Sequence, residues 1–157
     1  MHPPKIILVA TDFSAAAAAA LDCALLLAAR FDAQVYLLHA YLLPILGFPD
    51  GVLLPDAEIA TRIMTSAQTD LANAVARRKD CGIVIRPILK QADARDAVLE
   101  AATELSADLI VVGTHGRKGF VRALIGSVAE SVVRSAAIPV MTVHAGSRTA
   151  GDVAGQA

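Results

Sequence analysis

The sequence has few cysteines and no excess of charge of either sign, and both shortages exclude classes of protein. Cys23 and Cys81 are the only two cysteines, and they lie far apart without the spacing of metal ligands. We therefore expect no disulfide framework and a reducing compartment. Fourteen basic residues nearly balance fifteen acidic ones, so the net charge is −1. A chain with this balance has no general attraction to nucleic acid or to an anionic membrane surface.

Long hydrophobic runs are also lacking. The longest apolar stretches are interrupted by Asp22, or by His39 and Pro44, and none reaches the roughly 18 residues of a membrane span. The segment "MHPPKIILVATDF" does not resemble an export signal, because its apolar run ends at Asp12 and no cleavage site follows. With 55% hydrophobic and 18% charged residues, the chain is too apolar for disorder. We expect a soluble cytoplasmic protein.

Apolar runs rich in β-branched residues alternate along the chain with segments of helical composition. Runs of this kind suit strands that are buried on both faces, and the alternation predicts an α/β fold. The expected architecture is a doubly wound, five-stranded parallel sheet with helices on both faces. The predicted strands span 5–10, 34–40, 83–89, 109–113 and 139–144, and the predicted helices span 14–31, 56–81, 93–106 and 127–137.

Two segments fall outside this alternation. Residues 41–55, "YLLPILGFPDGVLLP", read as an apolar loop that folds over the core, with a lid or a partner surface as alternatives. Residues 145–157 are small and polar without periodicity, which is typical of a frayed tail. We therefore predict a single domain over 1–144 and a flexible C-terminal tail over 145–157.

The segment "GTHGRKGFVRALIGS", residues 113–127, connects the fourth predicted strand to the last predicted helix. Gly113, Gly116 and Gly126 would each let a ligand approach the backbone without a Cβ in the way. Arg117 and Lys118 lie between them, although loop cations are more often part of a solvated surface. The loop contains neither G-x-x-x-x-G-K-[ST] nor G-x-G-x-x-G. Its composition nevertheless predicts a clamp for a polyphosphate.

The end of this loop carries a helix-start signal. Ser127 is followed three residues later by Glu130 and then by apolar residues, which predicts a capping box with Ser127 as the N-cap. The first amide groups of a helix lack internal partners, and the helix dipole favours an anion there. A cap would form with or without a ligand, so this signal alone does not establish binding.

The spacing G-x2-G-x9-G-S follows "DLIVV" and precedes "VAESVVRSAAIPVMTV", and the chain here resembles the universal stress protein family. The resemblance covers almost the whole chain, from "ILVATDFS" through "VYLLHAY" to "IPVMTV". It implies an adenine-nucleotide α-hydrolase-like sheet of strand order 3-2-1-4-5. The motif marks the ATP-binding branch of that family. The resemblance also implies a homodimer that pairs through the last strand, from Pro139 to His144, and an unidentified regulatory protein partner.

The resemblance further implies a set of nucleotide-binding residues. Asp12 would lie near the ribose or the metal-bound phosphates, and so would bind Mg²⁺ or Mn²⁺. The backbone of Ala40 would meet the adenine. Gln91 and Ala92 stand where the family usually has a glycine turn, so the adenine edge of the pocket would differ. The implied nucleotide-binding residues are Ala10, Thr11, Asp12, Ala40, Gly113, His115, Gly116, Arg117, Gly126 and Ser127.

The sequence leaves several functional interpretations open. The favoured one is a nucleotide-dependent dimeric regulator of the stress response. A slow ATPase, or a phosphoryl or adenylyl transfer enzyme, is an alternative, as is a dimeric stress module that binds no nucleotide. No Ser/His/Asp or Cys/His arrangement is evident, and Asp12 and His115 are the only obvious candidates for a base near the loop. Asp12 could instead serve only to cap the first helix together with Ser14.

Overall fold

The computed structural model describes residues 2–44, 46–48, 51–53, 55–114 and 126–144. A five-stranded parallel sheet forms the centre of the fold, which confirms the predicted doubly wound architecture. Its strands are β1 (Ile6–Ala10), β2 (Gln34–Tyr41), β5 (Ile85–Gln91), β6 (Leu109–Gly113) and β7 (Val140–Val143). They lie in the order β5-β2-β1-β6-β7. Numbered within this sheet alone, that is the order 3-2-1-4-5.

The helices lie close to their predicted positions. They are α1 (Ala15–Phe31), α2 (Ala57–Ala76), α3 (Ala94–Glu104) and α4 (Ser127–Ser135). The prediction that α2 continues to residue 81 is wrong, because a separate 3₁₀ turn spans Lys79–Cys81. Between the two, Arg78 turns toward α1, where its Nε donates to Asp22 Oδ1 at 2.6 Å. The chain thus leaves the helical path to anchor α2 against α1.

The segment between β2 and α2 contains a small hairpin that the sequence analysis did not predict. Strands β3 (Leu46–Phe48) and β4 (Gly51–Leu53) pair in antiparallel register, with Leu46 opposite Leu53. The prediction of an apolar loop over 41–55 is therefore wrong for 46–48 and 51–53, which form strands. The sequence "FPDGV" did carry the signal, since Pro-Asp-Gly between apolar residues favours a tight turn.

Successive strand residues contribute to two cores on opposite faces of the sheet. Ile7 and Val9 of β1 face α1 and α2, whereas Leu8 faces α3 and α4. The alanine run of α1 has a packing role, because its buried alanines recur every four residues at Ala16, Ala20, Ala24 and Ala28. Small side chains at this spacing bring the helix axis close to the strands.

Some predictions fall on parts of the chain that the structure does not describe. Residues 115–125 of the predicted phosphate loop and the predicted tail, 145–157, lie outside the described residues. Within the described ranges, no helix is long and apolar enough to cross a membrane.

Candidate functional site

The strand order places a crevice at the carboxyl ends of β1 and β6. These two strands are neighbours in parallel register, with Ala10 opposite Val112. The chain leaves β1 toward α1 on one face of the sheet and leaves β6 toward α4 on the other. This divergence is a topological switch point, the place where doubly wound sheets bind ligands.

A cavity of about 170 Å³ lies at this point. It brings together most of the nucleotide-binding residues that the resemblance implies, drawn from β1, β2, β6 and the start of α4. Ala94 at the start of α3 and Ala17 of α1 complete parts of its wall. Of the implied residues, His115, Gly116 and Arg117 lie outside the described part of the chain. Those that line the cavity are Ala10, Thr11, Asp12, Ala40, Gly113, Gly126 and Ser127.

The N-terminus of α4 faces this cavity and differs from the predicted geometry. Gly126 is the N-cap and Ser127 is the first helical residue, so the predicted capping box is wrong. Among the described residues no side chain caps α4, and the Glu130 carboxylate accepts instead from the guanidinium of Arg134, at 2.9 Å from Nη2. The other helices of the described chain are capped by side chains, those of Ser14, Asp56 and Asp93. Within the part of the chain that the structure describes, the first-turn amides of α4 therefore meet the cavity without a side-chain cap.

Gly126 is nevertheless held in place by the strand from which the loop departs. Its N–H donates to the carbonyl of Thr114, a residue with no exposed surface directly after β6. Thr114 also donates its own N–H to the Val143 carbonyl at 2.9 Å, and its hydroxyl lies 2.8 Å from His144 Nδ1. Thr114 thus joins the ends of β6 and β7 to the start of α4. The sequence analysis missed this role, because a single threonine in a loop carries no signal of it.

The turn from β1 into α1 presents Asp12 to the same cavity. Asp12 Oδ1 accepts the Ser14 N–H at 3.0 Å, and Ser14 Oγ in turn accepts the Ala17 N–H at 3.2 Å. Ser14 is thus the cap of α1, whereas Asp12 supports the turn before it. Between them, Phe13 adopts a left-handed conformation with φ of 64°. A backbone of this kind is a strained one for a bulky side chain.

Gly113 has a packing role in the structure. A Cβ at this position would lie 2.7 Å from the Ala16 carbonyl carbon and 2.8 Å from the Ala17 nitrogen. Both atoms belong to the backbone at the start of α1, so they cannot move aside as the end of a side chain could. The close approach of α1 to β6 therefore requires a glycine here, whether or not a ligand binds.

A second and larger cavity, of about 510 Å³, lies on the α2 side of the Phe13 and His39 rings. Its polar lining comes mainly from Arg62, Ser66 and Asp70, which are exposed residues of α2. We regard the smaller cavity as the candidate site despite its size, because its lining joins strand ends at the switch point to the N-terminus of α4.

The described residues offer little for an independent metal site. They contain no group of three or more His, Cys, Asp or Glu side chains that could hold a metal ion. Mg²⁺ in proteins is commonly held by one or two carboxylates together with phosphate oxygens and water. Asp12 is placed to supply one such carboxylate if a phosphate ligand supplies the rest.

Comparison with known sequences gives consistent matches. The universal stress protein family matches this chain over residues 4–144. A universal stress protein of Methanocaldococcus jannaschii is 32% identical over 141 residues, covering 88% of this chain and 81% of the relative. A second relative, from Coxiella burnetii and named universal stress protein A homolog 2, is 32% identical over 119 residues. That match covers 75% of this chain and 79% of the relative.

Solved structures show the same fold. A universal stress family protein from Burkholderia pseudomallei aligns with a TM-score of 0.69 at 31% identity, covering 88% of this chain and 95% of that protein. A universal stress protein in complex with cAMP aligns with a TM-score of 0.69 at 28% identity, covering 92% and 99%. A third, from Archaeoglobus fulgidus in complex with dAMP, has a TM-score of 0.63 at 24% identity, covering 88% and 96%.

Proposed function

The chain belongs to the universal stress protein family, and we propose that it binds ATP with Mg²⁺ or Mn²⁺ as a dimeric, nucleotide-dependent regulator of the stress response. The observation that carries this proposal is the cavity at the switch point, which the N-terminus of α4 lines and where no described side chain caps that helix. Structural relatives bound to cAMP and dAMP support the adenine nucleotide class.

The phosphates would lie against the start of α4. Gly126 has no side chain to hinder their approach, and Ser127 adds a hydroxyl at the first helical position. The first-turn amides and the helix dipole both favour an anion at this point. A hydrogen bond to a charged group contributes about 1.5–3 kcal/mol, so a few such bonds give a substantial affinity. Arg117 and His115 would add contacts from the loop.

The adenine would lie at the opposite end of the cavity, beside β2. This strand continues past the end of β1 and pairs with β5 as far as Tyr41 opposite Gln91. The wall here is formed by small and apolar residues, including Ala10, Ala40 and Ala94. A flat, largely apolar surface beside backbone donors and acceptors suits a purine base. Ala40 would supply those backbone groups.

The divalent cation would be held between Asp12 and the phosphates. Asp12 lines the cavity at the end of β1, and α4 begins across the same cavity. The cation would neutralise part of the charge of the triphosphate. The amides of α4 would then orient the triphosphate. We assign Asp12 the role of a single carboxylate ligand, since the described residues hold no cluster that could bind the ion alone.

A link between the nucleotide site and the dimer edge supports regulation by nucleotide. β7 is the last strand of the sheet, so one edge of it is unpaired within the described chain. Exposed strand edges pair readily with other chains. Thr114 connects the end of β7 to the N-cap of α4. A ligand that shifts α4 would therefore act directly on the strand through which two copies would pair.

Isothermal titration calorimetry with ATP tests the proposal. Gly126→Val should weaken binding tenfold or more, because the branched side chain blocks the approach to α4. Asp12→Asn keeps an oxygen for the Ser14 N–H but removes the charge, so it should weaken ATP with Mg²⁺ more than ATP without it. Arg62→Gln, in the larger cavity, is the matched control and should bind as the wild type does.

Three results would contradict the proposal. Wild-type protein that binds no ATP at millimolar concentration would exclude the function itself. Normal binding by Gly126→Val would exclude α4 as the phosphate site. Loss of binding in Arg62→Gln alone would indicate that the nucleotide binds in the larger cavity.

A further inference from the structure

The turn that carries Asp12 adopts a conformation that its own sequence does not favour. The left-handed φ of 64° at Phe13 is unfavourable for an L-residue with a large side chain, and strain of this kind persists only where neighbouring contacts enforce it. A local hydrogen bond, from the Phe13 N–H to Thr11 Oγ1 at 3.0 Å, contributes to the turn. A further restraint comes from β2.

Two consecutive residues of β2 bond the two backbone polar groups of Thr11, its N–H and its carbonyl. The Leu38 carbonyl accepts the Thr11 N–H at 2.8 Å, and His39 Nδ1 lies 2.8 Å from the Thr11 carbonyl oxygen. Because a carbonyl oxygen can only accept, Nδ1 must carry the proton, which fixes the neutral ring of His39 as the Nδ1–H tautomer. The side chain of His39 therefore anchors the turn through one defined donor.

The same imidazole ring also contacts Phe13. The two ring centroids are 4.4 Å apart with an interplanar angle of 42°. Such a contact is within the range of favourable aromatic pairs. His39 thus bonds the residue before Asp12 and packs against the residue after it. His39 also lines both cavities, whereas Phe13 lines the larger one.

We infer that His39 is a positioning residue of the nucleotide site, whose Nδ1–H and ring together lock the strained Thr11–Phe13 turn so that Asp12 faces the bound nucleotide. This inference rests on the proposed function, because it assigns His39 a part in the same site. Removal of the ring lets Phe13 leave the left-handed region, and the Asp12 carboxylate then moves with the turn. The affinity for ATP with Mg²⁺ falls even though His39 is assigned no contact with the nucleotide.

The first test requires no ligand. Nitrogen-15 NMR of the imidazole in nucleotide-free protein distinguishes a ring protonated at Nδ1 from one protonated at Nε2. The Nδ1–H form is the less favoured tautomer of a free imidazole, so finding it at His39 identifies the bond to Thr11. An Nε2–H ring at neutral pH would overturn the inference.

The second test compares two substitutions in calorimetry with ATP and Mg²⁺. His39→Leu removes the donor and should weaken binding about five- to tenfold, as expected for the loss of one hydrogen bond and its restraint. His39→Asn places an amide donor near the position of Nδ1 and should recover most of that loss. His39→Gln places its amide donor farther from the backbone and should not recover the lost affinity. Equal affinities for all three variants and the wild type would overturn the inference.

A double-mutant cycle separates positioning from general damage to the fold. If His39 acts through Asp12, His39→Leu should cost far less affinity in an Asp12→Asn background than in the wild type. Fully additive losses would instead show that His39 acts independently of Asp12, and would overturn the inference. Failure of the wild type itself to bind ATP refutes the proposed function and, with it, this role of His39. Normal wild-type binding with an unaffected His39→Leu refutes the positioning role alone.

Discussion

Replacement of Gly113 by alanine tests whether this motif glycine serves packing or ligand approach. The added Cβ would lie 2.7, 2.8 and 2.9 Å from the Ala16 carbon, the Ala17 nitrogen and the Ala16 oxygen. Ordinary contacts between carbon atoms are about 3.5–4.0 Å, so the Cβ and the Ala16 carbon would have to move apart by roughly 0.8–1.3 Å. Overpacking of this kind typically costs about 1–3 kcal/mol.

For a domain of this length, a loss of 1 kcal/mol lowers Tm by about 2–4 °C, so Gly113→Ala should lower it by roughly 2–12 °C. The measurement is a thermal unfolding transition of nucleotide-free protein, followed by circular dichroism or calorimetry. If Gly113 served only the approach of a ligand, its replacement by alanine would leave Tm unchanged and reduce the affinity for ATP. An unchanged Tm would therefore refute the packing role.

Gly82→Ala provides the matched control for this experiment. Gly82 has φ of 73° and no heavy atom within 4 Å of the position of an added Cβ. Its replacement costs backbone strain of about 1–2 kcal/mol without any steric clash. It lies after the 3₁₀ turn and away from the candidate site, so it should lower Tm while ATP affinity stays at the wild-type value.

Two further predictions concern the last strand of the sheet and the start of its central strands. Replacing Val140 and Thr142 of β7 with lysine should convert the proposed dimer to monomers in light scattering. Val84→Lys, at an exposed residue just before β5, is the control and should leave the protein dimeric. A wild type that is monomeric at micromolar concentration would contradict dimerisation. The backbone N–H groups of Lys5 and Ile6 lower the pKa of Asp108 below its usual 3.8. Because the folded state has the lower pKa, this carboxylate stabilises the fold above about pH 4, and the contribution is lost as the pH falls through the folded pKa. Asp108→Asn should flatten the fall in denaturant midpoint between neutral pH and about pH 3, and an unchanged slope would contradict the role.

The sheet was predictable from the sequence because buried parallel strands are encoded locally. Each of the five runs of β-branched residues became a strand, and the intervening helices followed from composition and spacing. The strand order came from the family resemblance. The early end of α2 was not predictable in this way, because it depends on Arg78 reaching Asp22, fifty-six positions away in the chain.

The site was predicted less completely than the fold. Positions at strand ends could be named, since Ala10, Asp12 and Gly113 directly follow or end apolar runs. The residues that hold the site together could not be identified from the sequence. Thr114 joins three elements, and His39 bonds a turn on the neighbouring strand, so neither contact leaves a trace in local sequence. His39 would have been found only by asking which β2 side chains face the end of β1.

The mistaken capping box at Ser127 has its own physical meaning. A local rule assigns the cap to the serine, yet the chain starts α4 one residue earlier, at a glycine that caps with no side chain. Glycine at an N-cap costs only a few tenths of a kcal/mol relative to serine or aspartate, so stability barely distinguishes them. Glycine and serine differ instead in the access that they leave to the helix amides, because a capping side chain would occupy the hydrogen-bond donors that a phosphate needs. Local rules fail most often at functional sites, and here the failure coincides with the cavity at the switch point. The α4 N-terminus is thus built in the way expected if its cap is the bound nucleotide.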